Sequence, residues 1–319
     1  MKRRKKSKIV ALILGLILIM QSFTVQAAGS DGYVIGTYNQ TKQVVTDTSI
    51  IWIRTYLANA GGYQVKEVDG KLYSRKGKSG TWKKIASGVR TFTTNGKNVY
   101  YVKNTYDYNK KTGNSKIYCV SVNGGNAKVV KTISKARIDS IYRYGDKLYL
   151  TVCKEKFDST MYTYSLTTKK TKKIKDSCMI VDAYKRNAIT LDESPTKNTY
   201  VVKTMDLITG KETRLAENCS GFLRVGKYIY YTSYTRYIRL GSQGTFVVKR
   251  ANIDGSGVKT LTPQLTGVFQ DMNSHSVTYT DTTTNKDVTA TLVDKALNAA
   301  ASYATDDKIK IDGKEYTIA

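Results

Sequence analysis

From about residue 33 onward, apolar side chains fall at every second position in short runs, and glycine, asparagine or aspartate closes most of them. In VVKTMDL (201–207) and VVKRANI (247–253) the alternation puts one set of side chains on each face of an extended strand. Val, Ile, Thr and Tyr dominate these runs, as suits a pleated surface. The pattern predicts an all-β chain. One segment departs from it: VDKALNAAASYA, Val293 to Ala304, reads as a short helix.

Two phrases repeat. The first is a turn followed by an aromatic-rich strand: GKNVYYV, GDKLYLT, KRNAITL, GKYIYYT and, more weakly, SHSVTYT. Its equivalent positions Tyr100, Tyr149, Ile189, Tyr230 and Thr278 lie 49, 40, 41 and 48 residues apart. The second phrase is a hairpin with a polar turn, as in KIYCVSVNGGNAKVVKTI and TFVVKRANIDGSGVKTLT. Asn123-Gly124-Gly125, Thr209-Gly210 and Asp254-Gly255-Ser256-Gly257 supply residues that tolerate positive φ, which tight hairpins require. Thr167 to Lys170 occupies the same place without a glycine.

A unit of this length holds three or four strands and cannot bury both faces of its sheet alone, so units stack around an axis. The expectation is one β-propeller domain over 28–319, with about six blades of antiparallel strands. Seven is the nearest alternative, and a β-sandwich fits the period less well. Closing the ring calls for a strand from Tyr33 to Tyr38 or from Lys308 to Ile318 to complete a blade begun at the other end. The copy at Gly226 to Thr262, GKYIYYTS followed by FVVKRANIDGSGVKTLT, resembles the repeats of the TolB-like six-bladed propellers and related bacterial secreted propellers. Worn copies extend the resemblance over roughly 95–263. It implies a propeller with a binding or scaffold role, and it brings no catalytic motif with it.

The first 27 residues read as a cleavable secretory leader: six basic residues between Lys2 and Lys8, the apolar run Ile9 to Met20, then Val25-Gln26-Ala27. As a helix the 12-residue run reaches only about 18 Å, short of a bilayer core. Cleavage after Ala27 leaves 46 basic residues against 25 acidic, a formal charge of +21. Such a surface attracts polyanions. Outside a cell these are wall polymers and lipid headgroups rather than nucleic acid. Lysine on strand edges also keeps sheets from pairing with other chains, an alternative source for the same charge.

Four cysteines, Cys119, Cys153, Cys178 and Cys219, are compatible with free thiols or two disulfides. Cys178 and Cys219 stand at matching places in successive repeats and form the possible pair. Their spacing is not that of a zinc knuckle, and a single histidine, His275, cannot build a zinc site with partners of its own kind. No phosphate-cradling loop is present, and DYNKKTGN from Asp107 lacks the later ligands of a calcium loop. No cofactor is expected.

Asp139, Asp182 and Asp271 sit near unit starts, where axial carboxylates would serve a glycoside hydrolase or lyase. Tyr228, Tyr230, Tyr231, Tyr234, Arg236, Tyr237 and Arg239 form a dense run whose rings and guanidiniums suit a glycan or an anionic polymer. The same tyrosines are equally suited to filling the space between blades. The sequence therefore points to a secreted or wall-associated, non-enzymatic module that binds an anionic wall polymer, a glycan or another envelope protein. A propeller hydrolase or lyase and a protein-interaction scaffold are the alternatives.

Overall fold

The computed structural model describes residues 41–45, 50–60, 62–68, 70–77, 79–155, 158–193, 199–225, 227–238, 243–272, 276–292, 308–311 and 314–317. The expected helix at Val293 to Ala304, the stretch Tyr33 to Tyr38, the leader and His275 lie outside them. Every named element is a strand.

Unit 1 is the sheet β1 (Thr41–Val45), β2 (Ile50–Ala60), β3 (Tyr63–Val68), β4 (Lys71–Lys76) and β5 (Lys83–Ser87). Unit 2 is β6 (Thr91–Thr94), β7 (Asn98–Asn104), β8 (Asn114–Ser121) and β9 (Lys128–Ser134). Unit 3 is β10 (Arg137–Tyr144), β11 (Lys147–Cys153), β12 (Ser159–Ser165) and β13 (Thr171–Asp176). Unit 4 is β14 (Met179–Tyr184), β15 (Asn187–Glu193), β16 (Tyr200–Asp206) and β17 (Glu212–Cys219). Unit 5 comprises β18 (Phe222–Val225), β19 (Tyr228–Ile238), β20 (Gln243–Asn252) and β21 (Lys259–Thr260). Unit 6 comprises β22 (Leu265–Met272), β23 (Ser276–Asp281) and β24 (Lys286–Thr291). A hairpin of β25 (Lys308–Ile311) and β26 (Lys314–Thr317) follows.

Within each unit every strand pairs antiparallel with the next, giving the meander of a β-propeller blade. The alternation in sequence explains how blades stack. Val99 and Tyr101 of β7 face unit 1, in a core with Val65 and Leu72, while Tyr100 and Val102 face unit 3, in a core with Ile138, Leu148 and Leu150. Ile229 and Tyr231 of β19 likewise face unit 4, and Tyr230 and Tyr234 face unit 6. Five such cores lie between the six successive units among the described residues. Polar bonds cross the same seams: the Tyr142 hydroxyl donates to the Lys185 carbonyl and the Tyr149 hydroxyl to the Leu207 carbonyl, both at 2.7 Å.

The turns follow their sequence signals. Gly124, Gly125, Gly210, Gly255 and Gly257 all take positive φ, and at the glycine-free turn Lys169 does so itself, at 60°.

One feature departs from the expectation. β20 pairs with β21 through Lys249 and Arg250 but with β22 through Gln243 to Phe246, so units 5 and 6 share one continuous sheet. An alternating ten-residue strand gives no sign in sequence that its two halves serve different blades. Of the two segments expected to be able to complete a blade, Lys308 to Ile318 contributes the pair β25 with β26, and Tyr33 to Tyr38 lies outside the described residues.

Candidate functional site

The tyrosine run on β19 divides by strand alternation. Tyr230 and Tyr231 are fully buried in opposite inter-blade cores, and Tyr234 packs on Phe246 with ring centroids 5.1 Å apart. Tyr228 is half-buried with the Arg250 guanidinium 4.6 Å and the Lys227 ammonium 5.3 Å from its ring centre. Arg236 is exposed beyond a bulge at Thr235, and Tyr237 pairs with Gly244 through the backbone. Arg239 lies outside the described residues. The run therefore does not converge on one surface: its centre serves packing, and Tyr228 and Arg236 are the members with described solvent access. Alternation cannot distinguish a solvent face from a blade-to-blade face, because in this fold both faces of a strand are covered.

The acids near unit starts also separate. Asp182 of β14 is fully buried and pairs with Arg224 of β18 at 3.0 Å, linking two neighbouring first strands. Its Oδ1 also accepts the Ala183 N–H at 2.6 Å. Asp139 is the extra residue of a bulge in β10, which turns its carboxylate out of the ladder. Its Oδ2 accepts Arg137 Nη2 at 2.9 Å and the Cys153 thiol at 3.1 Å, and its Oδ1 stands 2.6 Å from Arg137 Nε as an ion pair. Each of these two carboxylates is thus neutralised by an arginine. Asp271 lies in β22, with its side chain outside the description.

Cys178 and Cys219, the possible disulfide pair, are both free buried thiols. Cys178 belongs to the core between units 3 and 4 and Cys219 to the core between units 4 and 5, so the sheet β14 to β17 stands between them. Burial pushes the thiols of both up to about 11, and that of Cys153 to about 12 with help from the Asp139 carboxylate. They are poor nucleophiles at neutral pH. Among the described residues no cluster of three His, Cys, Asp or Glu forms a metal-holding group.

The basic charge is where the structure adds most. With strand boundaries in place, residues 50–178, spanning units 1 to 3 from β2 onward, hold 27 basic and eight acidic residues, a net +19; residues 179–319 carry only +3. Lysines crowd the last strands of the basic units: Lys83 and Lys84 on β5, Lys128 and Lys131 on β9, Lys172 and Lys173 on β13, with Lys169 and Lys170 in the preceding turn. All of these except the half-buried Lys131 are exposed. Lys128, Lys170 and Lys172 have no ion-pair partner among the described residues. Total charge alone did not reveal the bias; counting charge per repeat would have.

In comparisons with known proteins, no family model and no curated protein matches this chain. Solved structures do. TolB from Acinetobacter baumannii aligns at 16% identity and a TM-score of 0.40, over 88% of this chain and 65% of its own. An oligogalacturonate lyase in complex with manganese aligns at 9% and 0.46, over 84% and 92%. A Pyrococcus horikoshii acylaminoacyl peptidase aligns at 10% and 0.49, over 89% and 56%. The chain spans less than two thirds of the TolB and peptidase chains. These identities bear on fold alone.

Proposed function

We propose that this chain is an exported, non-enzymatic β-propeller that binds an anionic polymer of the cell envelope through the lysine-rich outer edges of units 1 to 3. The carrying observation is that unit 4 builds the same four-stranded blade with six basic and six acidic residues, whereas unit 2 does so with seven basic and one acidic. Edge protection requires charge on the outer strand, and β17 supplies it with Glu212, Arg214 and Glu217, a net −1 rather than an excess of base. The excess in units 1 to 3 is therefore not a demand of the fold. Spread over neighbouring outer strands, it suits a long, repeating polyanion better than a single small anion. The leader-like first 27 residues support an extracellular partner of this kind.

Sedimentation with purified cell wall at graded salt tests the proposal. Binding is expected at low ionic strength and to fall steeply as salt rises, because exposed charges are screened within about 10 Å at 0.1 M. No binding at low salt, or binding indifferent to salt, would overturn it.

A further inference from the structure

The loop Thr105 to Gly113, between β7 and β8, is fixed to unit 3 at three points. The Tyr106 hydroxyl donates to the Lys154 carbonyl at 2.7 Å, Lys111 pairs with Glu155 at 2.8 Å, and the Tyr108 ring lies under the Arg137 guanidinium at 4.5 Å. Asp107 holds the loop's own turn by accepting the Asn109 and Lys110 N–H groups. These ties set the rings of Tyr106 and Tyr108 edge to face, with centroids 5.4 Å apart, and leave both half-buried.

Beside the rings stands an unequal set of charges. Asp139 is held by Arg137 and the Cys153 thiol, and only 15% of its side chain is exposed. Arg90 approaches the same carboxylate at 4.0 Å, the outer limit of an ion pair, and keeps 47% of its side chain in solvent. Two guanidiniums thus share one carboxylate: Arg137 lies over the Tyr108 ring, and Arg90, on the other side of the sharing, is the more loosely held and the more exposed.

We propose that Arg90, Tyr106, Tyr108 and Arg137 form a recognition site for an acidic sugar, a pyranose bearing a carboxylate or phosphate. The apolar face of the sugar ring packs on the face of one of these two perpendicular rings and meets the edge of the other, and the anionic substituent takes Arg90, whose side chain makes no polar contact among the described residues tighter than its 4.0 Å approach to Asp139. Arg137 is locked by Asp139 and acts as a flat wall that keeps Tyr108 in place. This deepens the polymer-binding reading, on which it rests: the lysine edges attract any polyanion, and this site selects one built of sugars. A neutral sugar lacks the Arg90 contact, and an inorganic anion lacks the stacking.

The test is calorimetric titration of the full mature chain with a hyaluronan hexasaccharide, glucose 6-phosphate, cellohexaose and inorganic phosphate. Saturable binding of at least one acidic sugar is expected, at least tenfold tighter than cellohexaose or phosphate; which of the two binds separates carboxylate from phosphate. Arg90→Ala and Tyr108→Ala each weaken it about tenfold, while Lys128→Glu/Lys170→Glu/Lys172→Glu leaves glucose 6-phosphate binding within twofold if that is the ligand bound. Arg90 is exposed and weakly tied, so its removal leaves the unfolding midpoint unchanged and separates lost recognition from lost folding. Absence of saturable binding by both acidic sugars, or unchanged affinity in both Arg90→Ala and Tyr108→Ala, overturns the site. Wall sedimentation of the same variants separates the two readings. Loss of wall binding in the lysine variant with no effect of Arg90→Ala on sugar binding sinks the site alone. Sugar binding without wall binding by the unmodified chain sinks the polymer reading alone.

Discussion

Units 2 and 4 are built to one plan and charged to different ones. Both are four-stranded meanders packed between two neighbours, and both bury alternate faces of their second strand in opposite cores. In unit 4 the acids whose side chains are described are matched. Lys175 and Lys203 close a four-member network with Asp192 and Glu212, Arg186 meets Asp206, Arg214 meets Glu217, and Asp182 meets Arg224. In unit 2 the single acid, Asp107, is used by its own turn, and lysines rest on rings instead: Lys103 over Tyr118 at 5.4 Å, and Lys131 over Tyr164 of unit 3 at 5.6 Å. The hydrophobic pattern sets the blade and leaves the charge free to vary. What varies freely between two copies of one architecture is open to use for recognition.

The largest effect expected from breaking this contrast lies on the matched side. Asp182 and Arg224 are 0% and 6% exposed, so removing either strands a charge that water cannot reach. Asp182→Ala should lower unfolding stability by about 3–5 kcal/mol, and Arg224→Ala by a similar amount. The double variant should lose less than the sum, since neither charge is then left alone. Chemical denaturation of the three variants measures this. Additive losses would show that the pair does not interact.

Next comes the unmatched side. Lys128→Glu/Lys170→Glu/Lys172→Glu should cost wall binding about 3 kcal/mol or more at low salt, a hundredfold or greater loss, from about 1 kcal/mol per removed basic group near an anionic surface. The comparable reversal on unit 4, Lys211→Glu/Arg214→Glu, should change binding no more than threefold, because its outer strand is already balanced. Stability should shift by under about 1 kcal/mol in the lysine variant, since those groups are exposed and unpaired. Equal losses from both reversals would dissolve the contrast.

Much of the fold was legible in sequence because hairpin geometry leaves a local trace. The glycines at 124, 125, 210, 255 and 257 mark turns that the structure contains, and the tyrosine phrase marks the second strand of successive blades. Two kinds of fact left no trace. Pairing of β20 with both β21 and β22 depends on which strand arrives at its far end, a long-range matter. The environment of Tyr230, Tyr231 and Tyr234 depends on the neighbouring blades, so a run that looked like a surface patch is mostly core. The cluster around Arg90 and Tyr108 draws on residues from Arg90 to Cys153, far apart in sequence and brought together by the seam between units 2 and 3. Asp139 was singled out as an axial acid, and the partners that hold it came only with the structure.

A third effect follows from the thiols. Cys178 and Cys219 lie on the two faces of unit 4, and burial raises both to about 11. A thiol whose folded value is raised keeps its proton in the fold while the unfolded chain releases it. Stability is therefore whole below the ordinary thiol value of about 8.5 and falls as pH rises from there toward 11. Between pH 8.5 and 10 the loss amounts to roughly 1.5 kcal/mol per thiol. Denaturation at pH 8 and pH 10 should give a shallower loss in Cys178→Ala and in Cys219→Ala than in the unaltered chain. On the basic side, Cys119 is half-exposed, and although burial raises it too, Arg143 and Lys128 work against that rise. Alkylation should reach Cys119 first, and modification of Cys219 ahead of it would count against the packing of unit 4.

The smallest effect concerns the seam where the two charge regimes meet. Tyr149 of unit 3 donates across it to the Leu207 carbonyl of unit 4 from a nearly fully buried position. Tyr164 makes the corresponding bond across the seam between units 2 and 3, to the Val130 carbonyl, at a longer 3.2 Å and next to half-exposed Val130 and Lys131. Tyr149→Phe keeps the ring and removes the donor, leaving a buried carbonyl unmatched, which should cost about 1–2 kcal/mol. At Tyr164 water can reach the freed carbonyl from the side of Val130, so Tyr164→Phe should cost about 0.5 kcal/mol or less. Paired denaturation curves for the two variants measure the difference. A larger loss at Tyr164 than at Tyr149 would mean that the basic units lean on cross-seam polar bonds more than the neutral one does, and that their charge is restrained by the fold rather than free of it.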